Sequence, residues 1–326
     1  MPRARFSSLL MALSLLTLFS CAVPHHQNVG ETGVRPISAP NCDGSPSELG
    51  RCLTRQARDE AEKAWAIYRW IALNIAYDIK GYREGAEASL DPDAVLQRRV
   101  AVCLGFSDLF VSLAQAAGLE AATVPGYAKG LGYEAGDVLE GRPSNHAWNA
   151  VRIAGQWKLL DCTWGAGAVD TDGEYHQRFE PHYFCTPPEE FLLTHFPLDD
   201  KWQLVKKSIS LADFEKFPYV KPAFFRCGLT LKSHQGCVIE STGRTVVVEL
   251  GVPDDTLLLC KLIRSGATAK EGQKIAGTRR RGIEAFRVVL PKAGDYTLRV
   301  FAAKGSAGAQ GRRELEWALD YKILAR

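Results

Sequence analysis

The sequence predicts an α+β domain, in which a helix that begins at a cysteine packs on an antiparallel sheet, followed by a small β-sandwich. Three observations predict this order. Apolar residues recur at helical spacing over residues 59–74 and again after Cys103. The stretch NHAWNAVRIAGQWKLLDCTWG, residues 145–165, is typical of a β-hairpin. After about residue 222, strand-like runs alternate with Gly-rich turns and show no helical period.

The first 21 residues are typical of a secretory signal. Arg3 and Arg5 precede an apolar run of about fourteen residues, which is short for a membrane span. The end of this run, LFSC, resembles a bacterial lipobox and makes Cys21 the expected lipid anchor, with an ordinary signal peptide as the alternative. Ala22, rather than an aspartate, follows the lipobox cysteine, and this resembles lipoproteins sent to an outer membrane. We therefore expect an exported chain anchored in the cell envelope, at the outer membrane, and facing the periplasm or the surface. Residues 22–46 are polar and predict a flexible tether.

Length and composition predict two domains, over residues 47–215 and 220–326. The chain has 326 residues, of which 46% are hydrophobic, enough to bury two cores. Its formal net charge of +3 is small, so nothing in the composition favours a nucleic-acid partner. The basic run TRRRG at residues 278–282 is interpreted as a solvated hairpin tip.

Nine cysteines in a chain predicted to be exported favour disulfides. Cys42 and Cys52 are close in sequence, as are Cys227 and Cys237, and either pair could close a short loop worth about 2–3 kcal/mol. Eight cysteines remain when the lipobox residue is set aside. If one of them must stay a thiol, seven remain, and because disulfides use cysteines in pairs, at least one more must also be free. Cys162, predicted to point to a buried face, is the second one we expect to be free.

The α+β domain begins with helices. DEAEKAWAIYRWIALN, residues 59–74, has one apolar face, and SLDPDAVLQRRVAV is predicted as a short helix capped near Ser89 or Asp91. The next helix begins at Cys103 and ends near Gly118. Cys103 therefore lies where unpaired backbone N–H groups and a partial positive charge favour a thiolate.

The predicted hairpin brings the side chains of a histidine and an aspartate close together. AATVPGYA, residues 121–128, is a strand that precedes it. If Ala154 and Gly155 form a two-residue turn, His146 lies on the same face as Asp161, one diagonal step away. Diagonal neighbours are about 7–8 Å apart at the backbone, so an imidazole and a carboxylate can bind there.

The second domain is predicted from its runs RTVVVELGV, TLLLCKLIR, EAFRVVLPKAGDYTLRVFAA and ELEWALDYKIL. These runs suit a sandwich of about 100 residues. AGDYTLRV resembles the tyrosine corner of immunoglobulin domains, with Tyr296 as the corner residue. We therefore expect an immunoglobulin-like sandwich.

Cys103, His146 and Asp161 together predict nucleophilic catalysis. A free thiol is mostly protonated at neutral pH, and an imidazolium beside it favours the thiolate. Asp161 would accept the other ring N–H and orient the imidazole. Because no second Cys or His stands at ligand spacing, metal ligation is the weaker reading, and neither a metal nor a cofactor is predicted.

The oxyanion of an attacked carbonyl needs hydrogen-bond donors. The backbone N–H of Cys103 is one such donor. For a second donor, Trp65, Trp70 and Gln56 remain open.

CLGFSDLFVSLAQAAGLEAATVPGYA and NHAWNAVRIAGQWKLLDCTWG resemble the transglutaminase-like core of the papain-type superfamily. HYFCTPPEEFLLTHFPLDDKWQLV resembles the kyphoscoliosis-peptidase branch, in which a β-sandwich follows that core. The resemblance implies that residues 47–215 are the catalytic domain, with Cys103 as nucleophile, His146 as base and Asp161 as orienting residue. The sequence departs from the G-x-C motif of many members, because Ala101 replaces the glycine.

The sequence thus predicts a cysteine-dependent hydrolase or acyltransferase, of peptidase or transglutaminase type, acting on amide bonds through a thioester. The expected substrates are proteins or peptides, cell-wall peptides among them, and the expected membrane contact is through the lipid anchor. The alternative is a non-catalytic envelope binding or scaffold protein that keeps the fold. The oligomeric state does not follow from the sequence.

Overall fold

The computed structural model describes Cys42 and residues 44–84, 90–170, 173–305 and 314–326. The predicted lipid anchor Cys21, the predicted signal and most of the predicted tether lie outside these residues. Among the residues that are described, no helix is both long enough and apolar enough to cross a membrane.

Helices and strands alternate irregularly along the described chain. In order, the helices are α1 (Pro46–Thr54), α2 (Glu60–Asn74), α3 (Ile79–Glu84), α4 (Pro92–Arg98), α5 (Cys103–Ala116), α6 (Cys162–Ala166), α7 (Pro188–Phe191), α8 (Leu211–Lys216) and α9 (Pro222–Arg226). The strands of the first domain are β1 (Ala76–Tyr77), β2 (Val100–Ala101), β3 (Ala121–Ala128), β4 (His146–Ile153), β5 (Gln156–Leu160), β6 (Gly167–Val169), β7 (Tyr175–Gln177), β8 (Phe184–Thr186) and β9 (His195–Pro197). The strands that follow are β10 (Tyr219–Val220), β11 (Thr230–Leu231), β12 (Val238–Ser241), β13 (Thr245–Gly251), β14 (Thr256–Arg264), β15 (Gln273–Ile275), β16 (Gly277–Arg280), β17 (Ile283–Val289), β18 (Gly294–Lys304) and β19 (Glu316–Ala325).

Side-chain caps set where the early helices begin. Ser45 and Glu48 form a capping box at the start of α1, and Asp59 accepts the N–H of Glu62 at the start of α2. Asp91, one of the two predicted caps, accepts the N–H of Ala94 and starts α4. The caps of α2 and α4 confirm the two helices predicted in this region, whereas α1 was not predicted.

The core of the first domain is an antiparallel sheet with the strand order β8-β5-β4-β3-β9. Helix α5 packs against β3 and β4, as predicted, and also against α1 and α2. Ala154 and Gly155 form the predicted two-residue turn between β4 and β5, with φ angles of 49° and 76°. Both values are typical of a type I′ turn, and Ile153 accordingly pairs with Gln156.

Gly126 leaves room for a tryptophan beneath the sheet. It lies opposite His146 in the pairing of β3 with β4. A Cβ at Gly126 would come within 2.4 Å of the Trp148 ring and 2.3 Å of the Phe196 carbonyl oxygen. The absence of a side chain at Gly126 therefore lets Trp148 lie directly behind His146.

The second domain is a two-sheet sandwich, as predicted. One sheet has the order β10-β19-β18-β14-β15, with β12 parallel to β19, and the other has the order β11-β13-β17-β16. Residues from both sheets, such as Val248 and Leu298, are completely buried between them. The Tyr296 hydroxyl donates to the carbonyl of Lys292 at 2.9 Å, which confirms the predicted tyrosine corner. The predicted basic hairpin tip lies between β16 and β17, at Arg281 and Gly282.

One of the two predicted disulfides is present. Cys42 and Cys52 are bonded, with Cα atoms 5.8 Å apart, so the end of the predicted tether is joined to α1. The Cys227–Cys237 pair is wrong, because both residues are free thiols. Cys227 lies in the sandwich core, whereas Cys237 lies in a separate apolar cluster and its thiol donates to the carbonyl of Glu215. Cys162 is free and buried, as predicted.

Candidate active site

Cys103 is the first residue of α5. The residue before it, Val102, offers no side-chain cap, so the N–H groups at this helix start have no side-chain acceptor there. The half-buried thiol of Cys103 lies close enough to the ring of His146 and to the backbone of Ala147 for both to influence its ionisation. Burial opposes ionisation of the thiol, but the hydrogen bond and charge of His146 outweigh it and lower the pKa of Cys103. The site therefore favours a thiolate.

His146 is the first residue of β4 and lies between the thiol and the acid. Its Nε2 donates to Oδ2 of Asp161 at 2.8 Å, which leaves Nδ1 for Cys103. Burial disfavours the charged ring, yet the charge and hydrogen bond of Asp161 raise the pKa of His146 to about 10. The raised pKa of His146 and the lowered pKa of Cys103 both favour a thiolate–imidazolium pair.

Asp161 is fully buried and caps α6. Its Oδ1 accepts the backbone N–H groups of Thr163 at 2.7 Å and Trp164 at 3.1 Å. Its Oδ2 binds the rings of His146 and His195. Burial alone would raise its pKa, but the charge of His146 and the bonds from both rings hold the pKa well below its usual range. Asp161 is therefore a carboxylate throughout the physiological range.

His195 is a site residue that sequence reasoning missed. It is fully buried at the start of β9, and its Nε2 lies 3.2 Å from Oδ2 of Asp161. Pairing of Ala128 with His195 brings β9 to the edge of the sheet beside the active-site strands. No local spacing relates His195 to Asp161, so only the motif LTHFP itself could have drawn attention to it.

Aromatic rings surround the polar centre. Phe191 stacks on His195 with ring centroids 4.0 Å apart, and Trp164 lies 4.4 Å from the same ring. Trp148 lies 5.1 Å from His195 and 6.1 Å from His146. This apolar wall excludes water from Asp161 and strengthens each of its hydrogen bonds.

The three suggested oxyanion donors make contacts with other residues or are exposed. Trp65 stacks on Tyr68 with centroids 5.8 Å apart, in an aromatic cluster of its own. Trp70 lies under the guanidinium of Arg99 at 4.8 Å, and Gln56 is exposed after α1. These contacts do not involve Cys103.

A different phenol lies near the thiol. Tyr77 in β1 pairs with Ala101 in β2, two residues before Cys103. Burial, and then the proximity of Cys103, raises the pKa of Tyr77. A protonated phenol beside the nucleophile can donate a hydrogen bond to an oxyanion.

His146, Asp161 and His195 could also be compared with a metal site, because their ligand atoms lie within 4.8 Å of one another. The two Nε2–Oδ2 distances, 2.8 and 3.2 Å, are those of N–H···O hydrogen bonds. A cation on these three atoms would have to displace both protons. The donor set therefore fits a hydrogen-bonded carboxylate better than a metal centre.

Both domains match known family models. Residues 47–162 match the model of the transglutaminase-like superfamily, and residues 211–326 match that of the KY-like, immunoglobulin-like domain. The chain therefore consists of a transglutaminase-like domain followed by an immunoglobulin-like domain of the KY type, as its fold and site indicate.

Curated relatives align with most of the chain. The kyphoscoliosis peptidase of Mus musculus is 33% identical over 264 residues, and that of Homo sapiens is 34% identical over 263 residues. Each alignment covers 80% of this chain and 38% of the relative. Hillarin of Drosophila melanogaster is 30% identical over 291 residues, covering 78% of this chain and 33% of that protein. The chain thus spans well under half the length of these relatives.

Proposed function

We propose that this chain is a cysteine-dependent hydrolase or acyltransferase that acts on amide bonds through a thioester intermediate. The observation that carries the proposal is the contact of the Cys103 thiol with the His146 ring, whose other nitrogen binds Asp161 at 2.8 Å. The lowered pKa of Cys103 favours the thiolate, which is the nucleophilic form of the side chain.

The reaction follows from this geometry. The thiolate of Cys103 attacks the amide carbonyl carbon, and N–H groups at the start of α5 bind the oxyanion. His146 gives its proton to the leaving nitrogen, the C–N bond breaks, and an amine departs from the thioester. Water that loses a proton to His146 then attacks the thioester and releases an acid, or an amine attacks it and forms a new amide. Asp161 holds the ring in place through both steps.

The proposed substrates are peptides or proteins of the cell envelope, including cell-wall peptides. The signal-like residues 1–21, with Cys21 as the lipid anchor, support this location. The Cys42–Cys52 disulfide also supports it, because structural disulfides persist in oxidising compartments. The relatives named kyphoscoliosis peptidase favour cleavage of peptide bonds over transfer.

Thiol reactivity tests the proposal. The full chain is treated with iodoacetamide at pH 6, and each cysteine is followed by peptide mass spectrometry. We expect Cys103 to react at least about tenfold faster than Cys162, whose pKa burial raises. His146→Ala should lower the alkylation rate of Cys103 by a similar factor. His176→Ala is the matched control, because His176 also binds an aspartate, Asp170, but is exposed.

The outcome separates an enzyme from a scaffold. If Cys103 reacts no faster than Cys162, and His146→Ala changes nothing, the catalytic proposal is wrong and the binding protein is favoured. If Cys103 is reactive, β-casein with monodansylcadaverine distinguishes the reactions. Fluorescent casein indicates transfer and new amino termini indicate hydrolysis, and Cys103→Ala should abolish either product.

A further inference from the structure

The buried carboxylate of Asp161 is held by four donors rather than by one histidine. Two backbone N–H groups bind Oδ1, and the rings of His146 and His195 share Oδ2. Only His146 contacts the thiol in the reaction proposed above. The second ring therefore has no chemical step of its own, although it occupies the interior of the site.

The hydrogen bonds around His195 define its tautomer. A carboxylate can only accept, so Nε2 of His195 carries the proton that faces Asp161. Its Nδ1 lies 2.9 Å from the hydroxyl of Thr194, which also lies 3.3 Å from the carbonyl of Phe191. In the neutral ring with its proton on Nε2, Nδ1 is an acceptor for the Thr194 hydroxyl. Burial lowers the pKa of His195 to about 4, although its bond to Asp161 opposes this, so the ring is neutral above about that pH.

Every group that faces His195 fits this role. Phe191, Trp164 and Trp148 pack against the ring, and its titratable neighbours are Asp161, His146 and the phenol of Tyr183, whose centroid is 6.1 Å away. The ring is fully buried. It cannot exchange protons readily with water, so it serves as a fixed neutral donor.

We propose that His195 is a positioning residue, whose Nε2–H, set by the Thr194 hydroxyl, keeps Asp161 ionised and turned toward His146. This inference rests on the proposed function, because the reactive thiolate depends on that ion pair. His195 lies outside both segments matched by the family models, residues 47–162 and 211–326.

The test compares variants that keep or remove the donor. His195→Gln places an amide N–H near the position of Nε2, whereas His195→Phe keeps a ring but donates nothing. The rate of Cys103 alkylation by iodoacetamide is measured from pH 3.5 to 8. In His195→Phe we expect the acid limb to move up by at least one pH unit and the rate at pH 5 to fall about tenfold. In His195→Gln the acid limb should keep its wild-type position, and the rate at pH 5 should stay within about twofold of the wild-type rate.

A second pair of variants leaves the ring in place. Thr194→Val removes the hydroxyl that selects the tautomer, and Thr194→Ser keeps it. We expect Thr194→Val to shift the acid limb in the same direction as His195→Phe, by a smaller amount, and Thr194→Ser to match the wild type. This pair decides the question if His195→Phe does not fold, as judged by near-UV circular dichroism.

The titration of Asp161 is read independently of the thiol. The ¹³Cγ resonance of Asp161 should titrate at least one pH unit higher in His195→Phe than in the wild type. If folded His195→Phe leaves both the acid limb and this resonance unchanged, or if His195→Gln is impaired as much as His195→Phe, the positioning role is wrong. If Cys103 of the wild type is alkylated slowly, but the titration of Asp161 shifts as expected in His195→Phe, only the catalytic proposal is overturned.

Discussion

The guanidinium of Arg226 donates to the carboxylate of Glu180 at 3.0 Å, and this ion pair joins the sandwich to the active-site side of the first domain. The same guanidinium donates to Glu316 in β19 at 2.7 Å. The backbone of Glu180 in turn binds the carbonyl of Gly165 in α6 and the hydroxyl of Tyr68 in α2. The Arg226 side chain therefore links the second domain to the helix that Asp161 caps. Arg178 is a second link, because its guanidinium binds Glu316 and its backbone N–H donates to the carbonyl of Ala166.

Arg226→Gln is expected to lower the free energy of unfolding by about 2 kcal/mol, because it leaves the nearly buried carboxylate of Glu180 without its charged partner. Urea denaturation followed by fluorescence measures this. Arg152→Gln is the control, since Arg152 pairs with Glu120 within the first domain, its side chain is 47% exposed, and surface ion pairs contribute at most about 1 kcal/mol. Equal effects of the two variants would show that Arg226 does not brace the domains.

Gly126→Ala is expected to destabilise the protein by about 2–3 kcal/mol and to slow alkylation of Cys103. The added Cβ would collide with the Trp148 ring and the Phe196 carbonyl, on the strand position that faces His146. Gly243→Ala is the matched control, because a Cβ there meets nothing within 4 Å. Thermal unfolding and the alkylation rate at pH 6 are the measurements, and a Gly126→Ala protein that matches Gly243→Ala in both would contradict the packing described here.

Tyr77→Phe is expected to lower kcat about 10- to 100-fold with little change in KM, if the phenol binds the oxyanion formed at Cys103. The measurement uses whichever casein reaction the wild type performs. Tyr82→Phe is a suitable control, because its ring lies 6.1 Å from that of Tyr77 and is 48% exposed. An unchanged kcat in Tyr77→Phe would remove the phenol from the reaction.

Lys129→Met is expected to change the pH dependence of stability. The Lys129 ammonium is fully buried, donates to the carbonyl of Phe217 at 2.8 Å and lies 4.6 Å from the ring centroid of Phe214. Burial lowers its pKa to about 7, whereas an unfolded lysine titrates near 10.4. The unfolded state therefore binds more protons between these values, and this group makes the wild type more stable as pH rises from 7 to 10.

The comparison of Lys129→Met with the wild type isolates that group from Lys221, whose pKa burial also lowers to about 7. Relative to the wild type, the variant should be more stable at pH 6 than at pH 10, by up to about 1.4 kcal/mol for each pH unit crossed. Urea denaturation at both pH values measures the difference. A gap in stability that does not vary with pH would mean that Lys129 stays charged in the folded protein.

Local signals in the sequence were sufficient for the hairpin and for the contact it creates. His146 begins β4 and Asp161 directly follows β5, and one short turn joins these strands, so strand parity predicts that the two side chains meet. The start of α5 at Cys103 follows in the same way from helical spacing. The bonded pair Cys42–Cys52 is likewise local, because α1 brings the two residues together.

Long-range pairing accounts for what the sequence did not predict. His195 reaches Asp161 only because β9 pairs with β3. The residues around His195 in the sequence contain no pattern that predicts this strand pairing. Cys227 and Cys237 are as close in sequence as the bonded pair, yet they pack into different apolar clusters. Tyr77 approaches Cys103 through the pairing of two strands of only two residues each, which leave almost no pattern.

The turn at Ala154 and Gly155 also limits how the gene can vary. One inserted or deleted codon there would rotate every later side chain of β5 to the opposite side and carry the acid away from its base. Length changes that preserve the chemistry must come in twos, or be offset by a bulge further along the strand. An alignment of remote homologues that opens a single-residue gap at this hairpin, without a compensating bulge before the acid, has therefore paired the wrong aspartate with the histidine.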